Sequence, residues 1–333
     1  MLGLDIGTYS IKAVELQKKD NTFTLVNFKI QERTAYSKDE VLSTVLKKFL
    51  DEGHFGSKEL YIAVSGNLVV VRLVELPEMA GEELKNAIRF EAEKYTPFSI
   101  DDAIVDYQVV AKDPQTKKTR VLLAAVRNDV VKNYIDAISR LGFVVKGVDV
   151  DGIAIANAFL NSHQLKKQEG GDGEAAALLN IGDAYLNMSV VYQDIPFVIR
   201  DISAAGAELA ENIAEGLGLD KSAAYQLKQS PPPDKQEGML EVIRPSLSKL
   251  AREIRLSLGY FENQFAKGVD AIYLSGGSSR LFGLKEFLSE SLDVKVESWD
   301  PFSSVKISEG ASNMPPDEVK AVLAVAVGLA IRE

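Results

Sequence analysis

One pattern occurs twice in this sequence, and the repetition limits the possible folds more than any other feature. Gly3-Leu4-Asp5-Ile6-Gly7-Thr8-Tyr9-Ser10-Ile11-Lys12-Ala13-Val14-Glu15-Leu16 reads as a strand, a tight glycine turn and a returning strand, with Leu2, Leu4 and Ile6 alternating toward a core. Ala177-Leu178-Leu179-Asn180-Ile181-Gly182-Asp183-Ala184-Tyr185-Leu186-Asn187-Met188-Ser189-Val190-Val191 repeats the pattern in the second half. Two copies of one hairpin predict two facing halves with a cleft between them. A third glycine motif, Ala271-Ile272-Tyr273-Leu274-Ser275-Gly276-Gly277-Ser278, runs a buried strand into paired glycines and is expected to open a helix.

The chemistry of these turns is that of an anion cradle. A glycine turn leaves successive N–H groups aimed at one spot, the Thr8 and Ser10 hydroxyls lie beside it, and Lys12 projects from the strand after it. Asp5, just before the turn, repels a bare phosphate but can hold a water-clad divalent cation against one. A metal-bound nucleotide satisfies both; either stretch alone is equally an ordinary hairpin.

Composition narrows the partners. Hydrophobic residues make up 46% and charged residues 26%, enough for a substantial core. The net charge of −10, from 38 basic and 48 acidic residues, argues against nucleic acid. Without cysteine there are no disulfides or thiolate metal sites, and with only His54 and His163 neither a histidine zinc site nor a serine–histidine triad is expected. Asp5 and Lys12 interrupt any signal-peptide core. The longest apolar run, 321–331, is about half the ~20 residues that span a bilayer, so the chain reads as soluble and cytoplasmic.

Along the chain, 1–66 and 127–163 read as the first lobe and 67–126 as an insertion. Within the insertion, strand Leu68–Leu76, a helix from Ala80 to Tyr95 and two further strands make an α+β unit of about sixty residues. Residues 164–174 form a glycine-rich linker, 175–205 and 269–333 the core of the second lobe, and 206–268 its helical subdomain. Ser37 is expected to cap the first helix, and Ser230-Pro231-Pro232-Pro233-Asp234 to be an exposed polyproline loop before a helix from Met239 to Phe265. Asp149 and Asp151 are expected to be caps or solvated turn residues, and the 321–331 tail to pack into the core.

The three motifs, in this order, resemble the nucleotide site of the actin, heat-shock chaperone and sugar-kinase superfamily. A closer resemblance is to the PilM family of type IV pilus assembly. It rests on Gly3 to Leu16, on Leu76-Pro77 through Phe90-Glu91-Ala92-Glu93-Lys94-Tyr95-Thr96-Pro97-Phe98, on Val148-Asp149-Val150-Asp151, on Leu274 to Gly277, on Asp300-Pro301-Phe302 and on the closing Val327-Gly328-Leu329-Ala330-Ile331-Arg332. The resemblance implies an α/β, actin-like (ribonuclease H-like) duplicated fold with ATP and Mg2+ between the lobes. Gly7, Thr8, Tyr9, Ser10 and Lys12 would grip the phosphates from one side, Gly182 and Asp183 from the other. Gly276, Gly277 and Ser278 would flank the adenosine, and Asp5 would hold magnesium through water.

It also implies a role in pilus biogenesis and twitching motility. A groove beside the insertion would receive the N-terminal cytoplasmic tail of the inner-membrane protein PilN, keeping the chain peripheral to that membrane and coupling nucleotide state to the membrane complex. Self-association stays open as a second partner. Two residues depart from the superfamily pattern: Asn180 stands where aspartate is common, and Tyr225 precedes Leu227-Lys228 where a glutamate near the ribose is usual. Slow turnover is left open, and no side chain is nominated as the base. Two other readings remain, an FtsA-like polymerising scaffold that attaches to membrane and a sugar-kinase-type phosphotransferase. The first would favour a basic amphipathic C-terminal helix, but Lys320 and Arg332 are the only positive charges in the tail after Pro315-Pro316.

Overall fold

The computed structural model describes residues 1–20, 22–33, 42–163, 165, 173–203, 206–308 and 314–332. The expected cap Ser37 and most of the glycine-rich linker lie outside them.

The chain opens with β1 (Leu2–Ile6), β2 (Ser10–Lys19) and β3 (Thr22–Glu32), followed by α1 (Leu42–Gly53) and β4 (Glu59–Val64). An inserted segment comprises β5 (Val69–Pro77), α2 (Glu82–Glu93), β6 (Ala103–Asp113) and β7 (Lys118–Arg127). Next come α3 (Asn128–Ser139), β8 (Val144–Val150) and α4 (Asp151–Ser162). The second half begins with β9 (Ala175–Ile181), β10 (Leu186–Tyr192) and β11 (Ile195–Ile202), then α5 (Gly206–Leu217), α6 (Lys221–Gln229) and α7 (Pro233–Phe265). It closes with β12 (Ala271–Ser275), α8 (Leu284–Leu292), β13 (Lys295–Ser298), β14 (Lys306–Ile307), α9 (Asp317–Lys320) and α10 (Ala324–Ala330).

Three sheets result, ordered β14-β3-β2-β1-β4-β8, β11-β10-β9-β12-β13 and β5-β7-β6. In the first two, a three-stranded antiparallel meander is extended by parallel strands, β4 beside β1 and β12 beside β9. The halves therefore share a topology as well as a motif.

The period-two alternation explains the layering. Leu2, Leu4, Ile11 and Ala13 face α1 and α3, whereas Val14 and Leu16 face the middle of the molecule. In β9, Ala175, Ala177, Leu179 and Ile181 face α5, α7 and α8, while Ala176 and Leu178 face that same middle layer. With both faces covered, β9 reads as a continuous apolar run. Helices α4 and α10 fill the space between the sheets. Glycine lets α10 lie close to β1 and to α4: a Cβ at Gly3 would overlap the Ala326 carbonyl and one at Gly328 the Ala154 carbonyl. All of α10 is buried, as the apolar tail led one to expect. The segment 269–333 is shared between the halves: β12, β13 and α8 join the second sheet, and β14 and α10 the first.

The inserted sheet packs Val74, Val121, Leu123 and Ala125 against Leu84, Ile88 and Ala92 of α2. Its other face sets Val71 and Leu122 on Val150 and Ile199.

Several expectations are corrected. The polyproline stretch shrinks because Pro233 is the first residue of α7, where its fixed φ suits a helix and its missing N–H costs nothing, and Pro231 is buried. Helix α6 was unexpected. The paired glycines lead into a single 3-10 turn, Gly277–Arg280, and the α-helix starts only at Leu284. Asp149 is neither a cap nor solvated: it is buried in β8 and paired with Arg332.

Candidate functional site

The two glycine turns are built alike. Gly7 to Ser10 connects Ile6 to its partner Ile11, and Gly182 to Tyr185 connects Ile181 to Leu186. In each, the glycine N–H donates to the carbonyl of the last turn residue, at 3.1 Å to Ser10 and 2.9 Å to Tyr185. A Cβ at either glycine would lie 2.9 Å from that same carbonyl oxygen, so both positions require the bare backbone.

One step before each turn sits a cross-strand polar pair, and here the halves differ. In the first it is Asp5 opposite Lys12, an ion pair of 2.9 Å. In the second it is Asn180 opposite Asn187, whose amides bond at 2.9 Å. The charged half offers a carboxylate and an ammonium, the amide half neutral dipoles.

Both turns face one cavity of about 380 Å³ between the two main sheets, within the usual range for small-molecule sites. Asp5, Gly7, Thr8, Tyr9, Ser10, Lys12, Gly182, Asp183, Gly277 and Ser278 all line it. Gly276 stands behind the wall, at φ +85°, where a Cβ would lie 2.6 Å from the Ile181 carbonyl oxygen. Gly277 faces open space.

The structure brings into the site residues to which sequence reasoning assigned no role there. Asp151, the first residue of α4, lines the cavity and hydrogen-bonds the Ser65 hydroxyl. Burial, together with Asp5 and Asp201 close by, pushes its carboxyl up to about 8, which corrects the solvated-turn expectation. Lys228 of α6 is 2% exposed, its Nζ donating to the Gly206 carbonyl at 3.1 Å and the Ser278 hydroxyl at 3.2 Å. Burial pulls that ammonium down to about 8. Tyr225, one helical turn earlier, stacks on Tyr9 across the cleft at 5.1 Å between ring centroids and donates to Asp183 at 2.6 Å. The available signals were an Asp-x-Asp at a strand–helix boundary and a lysine following Leu227 in a short helix.

The lining suits a polyphosphate carried by a cation. Asp5, Glu32, Asp151 and Asp183 stand among Lys12, Lys228 and Arg280, so a bare polyanion would meet carboxylates as well as cations. Among the described residues, no group of three or more Asp, Glu or His is arranged to hold a metal ion by itself. A cation here would take its remaining ligands from water and phosphate, as magnesium commonly does.

A second, smaller cavity of about 160 Å³ lies beside the inserted sheet. Its walls come from the Gly66 to Arg72 stretch, the end of β8 and Ile199, Arg200 and Asp201 of β11. Strands β5 and β11 are both sheet edges.

The sequence profile of the family described as type IV pilus assembly protein PilM matches residues 3–333. The structure superposes on that of a PilM-PilN type IV pilus biogenesis complex with a TM-score of 0.84 and 26% identity, covering 99% of this chain and 97% of that one. It also matches the ethanolamine utilization protein EutJ from Carboxydothermus hydrogenoformans (TM-score 0.54, 14% identity, 99% and 88% coverage). A further match is MreB5 of Spiroplasma citri bound to ADP (TM-score 0.50, 11% identity, 98% and 94% coverage). The last two establish kinship of fold alone, and the fold is the actin-like one that the resemblance implied.

Proposed function

The chain belongs to the PilM family of type IV pilus assembly proteins, and from that premise we propose that it is an ATP-binding adaptor coupling nucleotide state to an inner-membrane partner of the PilN kind. The observation that carries the nucleotide half is the single cavity onto which both glycine turns and Gly277 open. The Gly7 to Ser10 turn with Lys12 would take the phosphates from one side and Gly182 with Asp183 from the other. Gly277 and Ser278, backed by Gly276, would flank the adenosine, and Asp5 would reach magnesium through water. Bound magnesium would supply positive charge between the phosphates and the carboxylates of the lining.

Binding, rather than fast hydrolysis, is the function proposed. Burial and neighbouring carboxylates favour the protonated form of Asp151 in the cation-free protein, and where the first half carries the Asp5 carboxylate the second carries the neutral Asn180 amide, which accepts no proton from water.

The partner half rests on the 160 Å³ cavity between two sheet edges. An extended tail can pair there with backbone and place side chains in the pocket, the usual mode of strand addition. No described helix is long and apolar enough to cross a membrane, so inner-membrane association would come through the partner.

Calorimetric titration with magnesium-ATP and with the N-terminal cytoplasmic peptide of PilN tests the reading, with phosphate release followed in the same samples. We expect saturable binding of both and slow release. Absence of peptide binding, or rapid release stimulated by a small-molecule acceptor, would refute the adaptor role.

A further inference from the structure

One short stretch of chain forms part of both cavities. Residues 63–65 line the nucleotide cleft, and Gly66 through Arg72 lead along the partner cavity into β5. Gly66 is the turning point between them. It is buried, its φ of +98° is one that side chains rarely adopt, and it joins the first half to the inserted sheet.

The second half holds this glycine from two sides. Its N–H donates to Asp201 Oδ2 at 2.5 Å. On the other side lies the Tyr185 ring, so close that a Cβ on Gly66 would sit 3.0 Å from it. Tyr185 is the residue whose carbonyl closes the second glycine turn. Asp201 is tied to the strands carrying that turn as well: its Oδ1 accepts from Asn187 at 2.8 Å, Asn187 accepts from Asn180 at 2.9 Å, and Asn180 accepts from Ser275 at 3.3 Å. The relay runs across β12, β9, β10 and β11 and ends on the Gly66 backbone.

We propose that Tyr185 and Asp201 are positioning residues that fasten Gly66 to the second glycine turn, so that occupancy of that turn sets the placement of β5 and with it the affinity of the partner cavity. The inference rests on the nucleotide and partner reading above. It specifies the mechanical joint through which the two sites communicate. Because coupling between binding sites is reciprocal, the partner must shift nucleotide affinity by the same factor.

The test compares the whole chain with its Tyr185→Leu and Asp201→Asn variants. Asn at 201 keeps an acceptor for Gly66 but loses the one that Asn187 uses, so it is the milder change. Calorimetry gives the affinity for the PilN N-terminal peptide with and without a saturating magnesium-bound non-hydrolysable ATP analogue, and the affinity for the analogue with and without peptide. Hydrogen exchange of residues 67–76 is followed in parallel. The wild type is expected to show at least about fivefold coupling, the same in both directions, together with a nucleotide-dependent change of exchange in β5. In either variant the factor is expected to fall below about twofold, whatever each affinity becomes alone, and the exchange response to disappear. If both variants keep the wild-type factor, the joint lies elsewhere and the adaptor reading stands. Binding of both ligands to the wild type without coupling overturns the inference, and failure to bind the analogue at all overturns the nucleotide reading with it.

Discussion

Lys228 shows what the cleft demands of a single residue. Its ammonium is buried, held by one carbonyl and one hydroxyl, and its pKa is drawn from the ordinary lysine value down to about 8. Between that value and 10.5 the unfolded chain binds the proton that the folded chain has released, so stability rises with pH through this window and is flat below it. The full span corresponds to roughly 3 kcal/mol. Lys228→Met removes the titration without removing the volume. Urea denaturation of both proteins from pH 7 to 10 is therefore expected to show wild type gaining on the variant as pH rises above 8. A constant difference would mean that the ammonium is hydrated in the folded protein. Burying a charge at this cost makes sense for a group that meets an anion, and the adjacent Ser278 lines the same cavity.

Among the elements, α10 is set by close approach and α7 by its apolar stripe, and glycine means something different in each. Alanine is the better helix former by roughly 1 kcal/mol, yet a Cβ at Gly328 of α10 would overlap the Ala154 backbone of α4. Gly259 of α7 has nothing within 4 Å of its Cβ position. Gly328→Ala is expected to destabilise by about 3 kcal/mol or more, and Gly259→Ala to stabilise by about 0.5 to 1 kcal/mol. Thermal or urea denaturation of the two variants decides, and equal effects would show that α4 and α10 can separate freely. The same contrast bears on what the sequence made legible. The glycine turns stood out because a glycine opening a four-residue connection between two apolar strands has few local solutions, and β9 because both its faces are covered. Asp151, Asp201 and Lys228 were opaque because their environment is assembled across large separations: Gly66 meets Asp201 across 135 positions and Lys228 meets Ser278 across 50. No local pattern encodes such burial. Helix α6 was missed for a related reason, its short run of Ala224, Leu227 and Lys228 becoming a buried face only against other elements.

Across the whole molecule, two sheets of shared topology clasp a middle layer of α4 and α10, and the cleft opens at the ends of the strands that carry the glycine turns. This arrangement places acids from both halves around one cavity in a chain of net charge −10. A nucleoside diphosphate entering alone adds negative charge to that field, whereas its magnesium complex largely cancels its own. Ligands that bind only the folded state stabilise it by about 2.7 kcal/mol at one hundred times Kd, which for a chain of this size is a rise in Tm on the order of 4 °C. Thermal unfolding with ADP and magnesium is expected to show such a shift, and with ADP and a chelator a rise smaller by at least about half. Raising sodium chloride from about 50 to 500 mM shortens the screening length from over 10 Å to under 5 Å, so it is expected to recover part of the chelated response and to leave the magnesium response nearly unchanged. Equal shifts with and without magnesium would mean that Lys12 and Lys228 alone neutralise the phosphates. Asp5 would then serve to orient Lys12, its partner across the hairpin, rather than to hold a hydrated cation.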